Sequence, residues 1–332
     1  TVSVLYWRLP ERQNMAQRPP LSFGTYTVRG DTCRDAVIAA LRCGYRRIDT
    51  AAVYKNEEEV GAALRAVGIP RSELRVTTKL APQDQKGAAA AIAALRASLK
   101  RLGLDYVDCY LMHWPGTGRK KVKDPANIAL RCESWRGMCE AKAMGLTREV
   151  GVCNFSVRHF ESLAAAQLPL PQVHQLELHP LCRQREVVAW CREKQIAVEA
   201  YSPLGSGEPA LLQHPLWVKT LGPAPADETA AEQQSKRAQP TAEPLSPASS
   251  PTSAPHADPS AVAQALLCWS MREGYLPVVR STNPRHIAAD LVPATMPDPE
   301  FIRLADAAEA IASSVAPDAD DTHFCWFGDA VV

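Results

Sequence analysis

The stretch Asp49-Thr50-Ala51-Ala52-Val53-Tyr54 closes a strand-length run, Tyr45-Arg46-Arg47-Ile48, on a carboxylate and a phenol. Two later stretches repeat the pattern. Arg75-Val76-Thr77-Thr78-Lys79 ends on an amine, and Asp108-Cys109-Tyr110-Leu111-Met112-His113 ends on an imidazole. The three lie in order, separated by enough chain for a helix and its loops. When parallel strands close into a barrel, their carboxyl ends share one face, and chemistry sits on that face. Asp49, Tyr54, Lys79 and His113 are therefore expected to meet at one barrel mouth.

Apolar runs of strand length alternate with helical patterns along most of the chain. Strands are expected near 21–26, 45–50, 74–79, 106–112, 149–154, 173–178, 196–201 and 276–281. Asn56 followed by three glutamates has the form of an N-cap with an acidic first turn. Leu95, Leu99 and Leu102 have helical spacing and stop at Gly103. Gly44 stands where a left-handed C′ residue would end the first helix. About eight strand–helix pairs with short connections imply an α/β fold, a (β/α)8 TIM barrel of one domain, more readily than an open sheet.

One segment departs from this pattern. Residues 222–259 hold eight prolines, and Leu245 is their one strongly apolar residue. Such a stretch cannot bury enough surface to offset its ordering entropy. It is expected to be a long disordered insertion after strand 7, on the mouth side, either solvated or acting as a lid or partner-binding element. The expected domain is 19–326, interrupted by this insertion. Residues 1–18 form a divergent N-terminal segment, and 327–332 a tail.

A net charge of +1 gives no field for nucleic acid or an anionic membrane. The basic run Arg119, Lys120, Lys121, Lys123 is local, and is read as a solvated loop face in preference to an anion site. Ten cysteines without a C-x-x-C favour a reduced chain over a disulfide scaffold or zinc site. No metal ligand set has the right spacing. There is no run of 18 apolar residues. The opening Thr1–Trp7 is short and lacks a basic leader, and no C-terminal address is present. A cytoplasmic monomer is expected.

The phrase from Asp49 to Gly61, with Thr77-Thr78-Lys79 and Leu111-Met112-His113-Trp114-Pro115, resembles the aldo-keto reductase family. The resemblance covers roughly 19–221 and 260–326. It implies Tyr54 as proton donor to a carbonyl oxygen, with Lys79 beside it, Asp49 paired to the lysine, and His113 orienting the carbonyl. Physical chemistry agrees with these roles. A free phenol is a weak acid, a nearby ammonium is expected to lower its pKa, and a neutral imidazole can donate to developing negative charge. Hydride must come from a cofactor.

Family phrases also imply the cofactor contacts. Asn154 and Gln175 match residues that bind the nicotinamide carboxamide, with Cys153 in place of the usual serine. Tyr201 matches the ring that stacks on nicotinamide. Ser202-Pro203-Leu204-Gly205-Ser206-Gly207 resembles the pyrophosphate loop, which assigns Ser202 and Leu204. Arg280 and Ser281 match the adenosine-phosphate contacts. The usual arginine for the 2′-phosphate falls at His286, with Arg285 one place earlier, and the usual adenine-contacting asparagine falls at Asp290. NADPH is the expected cofactor, with NADH as the alternative.

Tyr26, Trp114 and Trp326 match positions lining the substrate pocket, whereas Trp135 is read as core. The expected activity is NADPH-dependent reduction of aldehydes, and some ketones, to alcohols by direct hydride transfer. The expected partner is a small carbonyl compound. A second class of function, a cofactor-binding barrel with a regulatory role, remains open. The intact set of four argues against it.

Overall fold

The computed structural model describes residues 21–118, 120, 124–222 and 257–315. Eight parallel strands close into a barrel in sequence order. They are β1 (Ser22–Gly24), β2 (Arg47–Asp49), β3 (Arg75–Leu80), β4 (Val107–Met112), β5 (Thr147–Cys153), β6 (Val173–Glu177), β7 (Ala197–Tyr201) and β8 (Leu276–Val279). β8 pairs with β1 to complete the ring. All eight expected strands are present, most of them shorter than the sequence suggested at one or both ends.

The outer layer begins with α1 (Gly30–Cys43), α2 (Glu57–Val67), α3 (Ala88–Leu102), α4 (Ala126–Ala143), α5 (Val157–Ala165) and α6 (Arg185–Glu193). After β7 come two short helices, α7 (Pro209–Leu212) and α8 (Leu216–Leu221). They are followed by α9 (Pro259–Arg272), α10 (Pro284–Ala289) and α11 (Asp298–Val315). Gly44 and Gly103 end α1 and α3 in the left-handed region, with φ of 116° and 66°. No helix among the described residues is long and apolar enough to cross a membrane.

The expected insertion is trimmed at its far edge. Ala257 is buried in the core, and Asp258 caps α9 by accepting from Ser260 N–H at 2.9 Å. The remainder of that segment, the N-terminal segment 1–18, most of the 119–123 run and the C-terminal tail lie outside the described residues.

Two cores result from strand alternation. The larger lies between sheet and helices and holds Trp135, Trp217 and Trp269. Trp135 is wholly buried, as expected, and its indole N–H donates to Pro169 O at 2.8 Å. Inside the barrel a small apolar cluster, Cys109, Leu111, Cys153 and Val173, sits among charged residues. Cys182 is disulfide-bonded, which corrects the expectation of a fully reduced chain. The other cysteines among the described residues are free.

Helix packing is tightest where glycine removes a side chain. A Cβ on Gly61 of α2 would stand 2.2 Å from Leu102 O, and one on Gly137 of α4 would stand 2.3 Å from Ala88 O. Both obstacles are backbone and cannot rotate away. Gly61→Ala and Gly137→Ala are each expected to lower unfolding stability by ~2–3 kcal/mol, read by urea titration. Unchanged midpoints would show that the α2–α3 and α3–α4 contacts are looser than this.

Candidate active site

The four expected residues converge at the carboxyl end of the barrel. Asp49 ends β2, Lys79 is the fifth residue of β3, and His113 follows β4. Tyr54 ends the 3-10 turn Ala52–Tyr54, and Lys55 after it is left-handed at φ 56°. Lys79 Nζ forms a buried ion pair with Asp49 Oδ1, donates to Thr50 O at 3.1 Å and lies 3.4 Å from Tyr54 Oη. Lys79 is 1% exposed.

Burial alone would lower the pKa of Lys79. The adjacent Asp49, followed by Tyr54, outweighs it and holds the ammonium above its ordinary range. Tyr54 behaves against expectation. Burial pushes its phenol up to about 12, and the pull of Lys79 offsets only part of that. The phenol therefore keeps its proton at neutral pH. His113 is driven well below its ordinary pKa, first by burial and then by Lys79. Its imidazole is neutral, and its buried Nδ1 has no hydrogen-bond partner.

Asn56 positions this site, a role the sequence did not reveal. Its expected N-capping bond is not made. The wholly buried side chain instead donates to Thr25 O and Val28 O, both at 2.8 Å, and accepts from Thr50 Oγ1 at 2.7 Å. The β2–α2 segment carrying Tyr54 is thus tied to the turn after β1. The oxygen that would cap the helix is taken by the Thr50 hydroxyl, while the amide nitrogen serves the two carbonyls. The acidic first turn is used as well. Glu57 accepts from Thr78 Oγ1 at 2.6 Å and from Arg101 Nε at 2.7 Å.

Beneath the mouth the polar contacts continue downwards. Gln175 Nε2 donates to Asp49 Oδ2 at 2.8 Å and to Glu199 Oε2 at 3.0 Å. Glu199 in turn pairs with Arg47 at 2.9 Å. Gln175 therefore faces carboxylates inside the barrel, and its oxygen lies 4.0 Å from Cys153 Sγ. Neither Glu199 nor Arg47 was singled out from sequence, because their relevance appears only when β2 and β7 face each other across the barrel.

Around the mouth, Tyr26 lies 5.1 Å from Tyr54 between ring centroids, and Trp114 stacks on His113 at 6.3 Å. Tyr26 is largely exposed and Trp114 half-buried. Trp326 lies outside the described residues. Asn154 is left-handed at φ 59°; its amide donates to His113 O at 3.1 Å and accepts from Tyr201 Oη at 2.9 Å.

The loop after β7 suits a close approach by a ligand. Ser202, Gly205, Ser206 and Gly207 all have positive φ, between 49° and 94°. Ser206 Oγ donates to Ser202 Oγ at 2.9 Å, and half-buried Leu204 packs on the core. After β8, Arg280 and Arg285 are exposed and have no ion-pair partner among the described residues. Ser281 Oγ accepts from Asn283 N–H at 3.0 Å, and His286 is exposed. Two unpaired cations beside a loop of this shape fit a phosphate-bearing cofactor. Among the described residues no group of His, Cys, Asp and Glu could hold a metal.

The family model described as Aldo/keto reductase family matches residues 20–292. Aldehyde reductase YPR1 of Saccharomyces cerevisiae is 35% identical, the match covering 86% of each chain. The crystal structure of an aldo/keto reductase from Brucella melitensis superposes with a TM-score of 0.66 at 31% identity, covering 87% of this chain and 94% of that one. An aldo-keto reductase from Bombyx mori, solved in complex with NADP, gives a TM-score of 0.61 at 30% identity, covering 87% and 89%.

Asp290, at the expected adenine position, is 6% exposed, and burial raises its carboxyl from 3.8 to about 7. The folded chain keeps that proton where the unfolded chain has released it. This contribution to stability is complete below about pH 4 and is lost as pH rises through about 7. Asp290→Asn is expected to be more stable than the parent by ~1–3 kcal/mol at pH 8, with the gap closing by pH 4. Paired thermal melts across that range test this, and a gap independent of pH would refute the assignment.

Proposed function

This chain belongs to the aldo-keto reductase family, and from that premise we propose that it is an NADPH-dependent carbonyl reductase converting aldehydes, and some ketones, to alcohols. One observation carries the reading. A buried ammonium, held charged by Asp49, lies 3.4 Å from a phenol oxygen, beside a neutral imidazole with an unpartnered nitrogen. Such a site can polarise a carbonyl and hand it a proton without a metal.

NADPH, when bound, supplies hydride to the carbonyl carbon. The residues at the mouth handle the oxygen. Neutral His113 donates a hydrogen bond to it and fixes its direction. Tyr54 holds a proton at Oη until negative charge builds on the oxygen, then releases it. An alkoxide is a stronger base than phenolate, so the transfer runs downhill even from a phenol near pKa 12. The phenolate left behind faces the ammonium of Lys79, which stabilises it at close range. Asp49 and Gln175 keep that ammonium from moving. Tyr26 and Trp114 wall an apolar approach for the substrate.

For the cofactor, Tyr201 and Asn154 are proposed to meet the nicotinamide, and Ser202 to Leu204 the pyrophosphate. Arg280, Ser281 and Arg285, with His286 beside them, are proposed for the adenosine phosphates. Gln175 fits its assigned contact less well, because its amide nitrogen is already engaged by Asp49 and Glu199. The two unpaired arginines favour the more highly charged NADPH over NADH. The reading extends to a monomer in the cytoplasm. Eight free cysteines among the described residues fit a reducing compartment, while disulfide-bonded Cys182 counts against it.

Tyr54→Phe is expected to lower turnover of 4-nitrobenzaldehyde by about 10²–10⁴-fold with NADPH affinity unchanged. Steady-state kinetics beside a cofactor-fluorescence titration test this. Near-normal turnover in the variant would remove Tyr54 as the acid. Equal use of NADH by the parent would remove the phosphate-recognition role of the arginines.

A further inference from the structure

The segment from β4 to α4 borders a second cavity, of about 250 Å³, which Trp114 lines and Tyr54 and His113 do not; Trp114 in turn stacks on His113. Trp114, Thr117, Lys120, Asn127, Arg131 and His159 line it, and among the described residues no carboxylate does. Nothing in the carbonyl chemistry uses this space.

Arg131 dominates the cavity. It is 5% exposed. Its Nε donates to Pro115 O and its Nη1 to Ser162 Oγ, both at 2.8 Å, and its guanidinium lies 5.7 Å from the centre of the Phe155 ring. Among the described residues Nη2 has no hydrogen-bond partner, and no carboxylate pairs with the guanidinium. A buried cation without a counter-ion is costly, and proteins usually pair it. Nor is the missing charge concealed nearby in the chain, since residues 119 and 121–123 are Arg, Lys, Val and Lys.

The other lining groups match the same ligand. His159 Nδ1 accepts from Ser156 N–H at 2.9 Å, which leaves the ring proton on Nε2 as a donor. The histidine is neutral, pushed down to about 3 by burial and then by Arg131. Lys120 adds charge at the rim, held only loosely by Asp124 at 3.4 Å. Thr117 N–H and Oγ1 are both engaged by Asn127 Oδ1, so the loop is braced in this shape without a ligand.

We propose that this cavity is a binding site for a small oxyanion, a carboxylate or phosphate group, anchored by Arg131 and supported by Lys120 and the His159 N–H. A planar guanidinium with a free edge suits either anion. Trp114 is the shared wall, so the bound anion sits one ring away from His113. Two sources have this chemistry: a charged group on the carbonyl substrate itself, or a free anion bound independently. The site rests on Arg131 and its surroundings. Only the kinetic arm of the test rests on the carbonyl-reductase reading.

The test uses the whole chain saturated with NADP+, so that inorganic phosphate cannot occupy the cofactor's phosphate contacts. Calorimetric titration with inorganic phosphate is expected to show one site in the parent. Arg131→Lys keeps the charge but loses the fork, and is expected to weaken binding about tenfold. Lys120→Gln is expected to weaken it about threefold. These two variants carry the test if Arg131→Met fails to fold. No phosphate binding by the parent, or parent-like binding by both variants, would overturn the proposal and leave Arg131 as a strut for Pro115 and Ser162. The kinetic arm compares 4-carboxybenzaldehyde with 4-nitrobenzaldehyde. Phosphate competing against the charged aldehyde alone would support the site and identify it with the substrate's own anion. Phosphate bound without competition would support it as an independent site. Loss of turnover with both aldehydes while phosphate still binds would count against the carbonyl-reductase reading and leave the anion site standing.

Discussion

The buried ion pair of Lys79 and Asp49 is the constraint around which the barrel interior is built. An ammonium at 1% exposure survives only if its partners replace the water it has lost. Asp49 provides the charge and Thr50 O a second acceptor. Asp49 must then be satisfied on its other oxygen, which Gln175 does, and Gln175 is shared with Glu199, which Arg47 neutralises. Lys79, Asp49, Gln175, Glu199 and Arg47 thus form a connected set, each one answering the demand created by the residue above it. The large hydrophobic core can lie outside the sheet because the inside is committed to this network.

The same constraint explains why the phenol and the imidazole are both uncharged. Withdrawal from water acts on Tyr54 and His113 in opposite chemical senses but with one result: each stays neutral. Lys79 reinforces this for His113, since two cations disfavour each other, and opposes it for Tyr54. In the proposed reduction, its larger effect on the phenol would come only after the phenol has given up its proton. Stabilisation of this kind is stronger after proton transfer than before, which is the condition for helping the reaction rather than merely binding its start.

Local features were legible in the chain. Strands, the left-handed Gly44 and Gly103, and the placement of Asp49, Tyr54, Lys79 and His113 at strand ends all follow from short-range pattern and topology. Features set by long-range contacts were not. Asn56 has the form of a helix cap, yet its buried side chain serves carbonyls at Thr25 and Val28, about thirty residues earlier. The direction of the Tyr54 shift depends on how deeply the ring is buried, which sequence does not state. Sequence places Asp290 at the adenine position but does not state its burial, which raises its carboxyl to about 7. Arg131 sits in an ordinary helical stretch, and its lack of a counter-ion becomes visible only once its neighbours are known.

The segment following β4 joins these threads. His113 and Trp114 are adjacent in sequence, and the tryptophan borders two spaces. One holds the phenol and the buried ammonium; the other holds Arg131. The backbone between them is fixed from both sides, by Gln85 Nε2 donating to Trp114 O at 2.7 Å and by Arg131 Nε donating to Pro115 O. A segment held this firmly transmits position rather than absorbing it. Any group that pulls on Arg131 must pull on Pro115, and through it on the tryptophan stacked against His113. The barrel interior determines what chemistry is possible at the mouth. If the anion proposed for the Arg131 cavity belongs to the substrate, the braced segment beside it is where this chain would distinguish one carbonyl compound from another by charge.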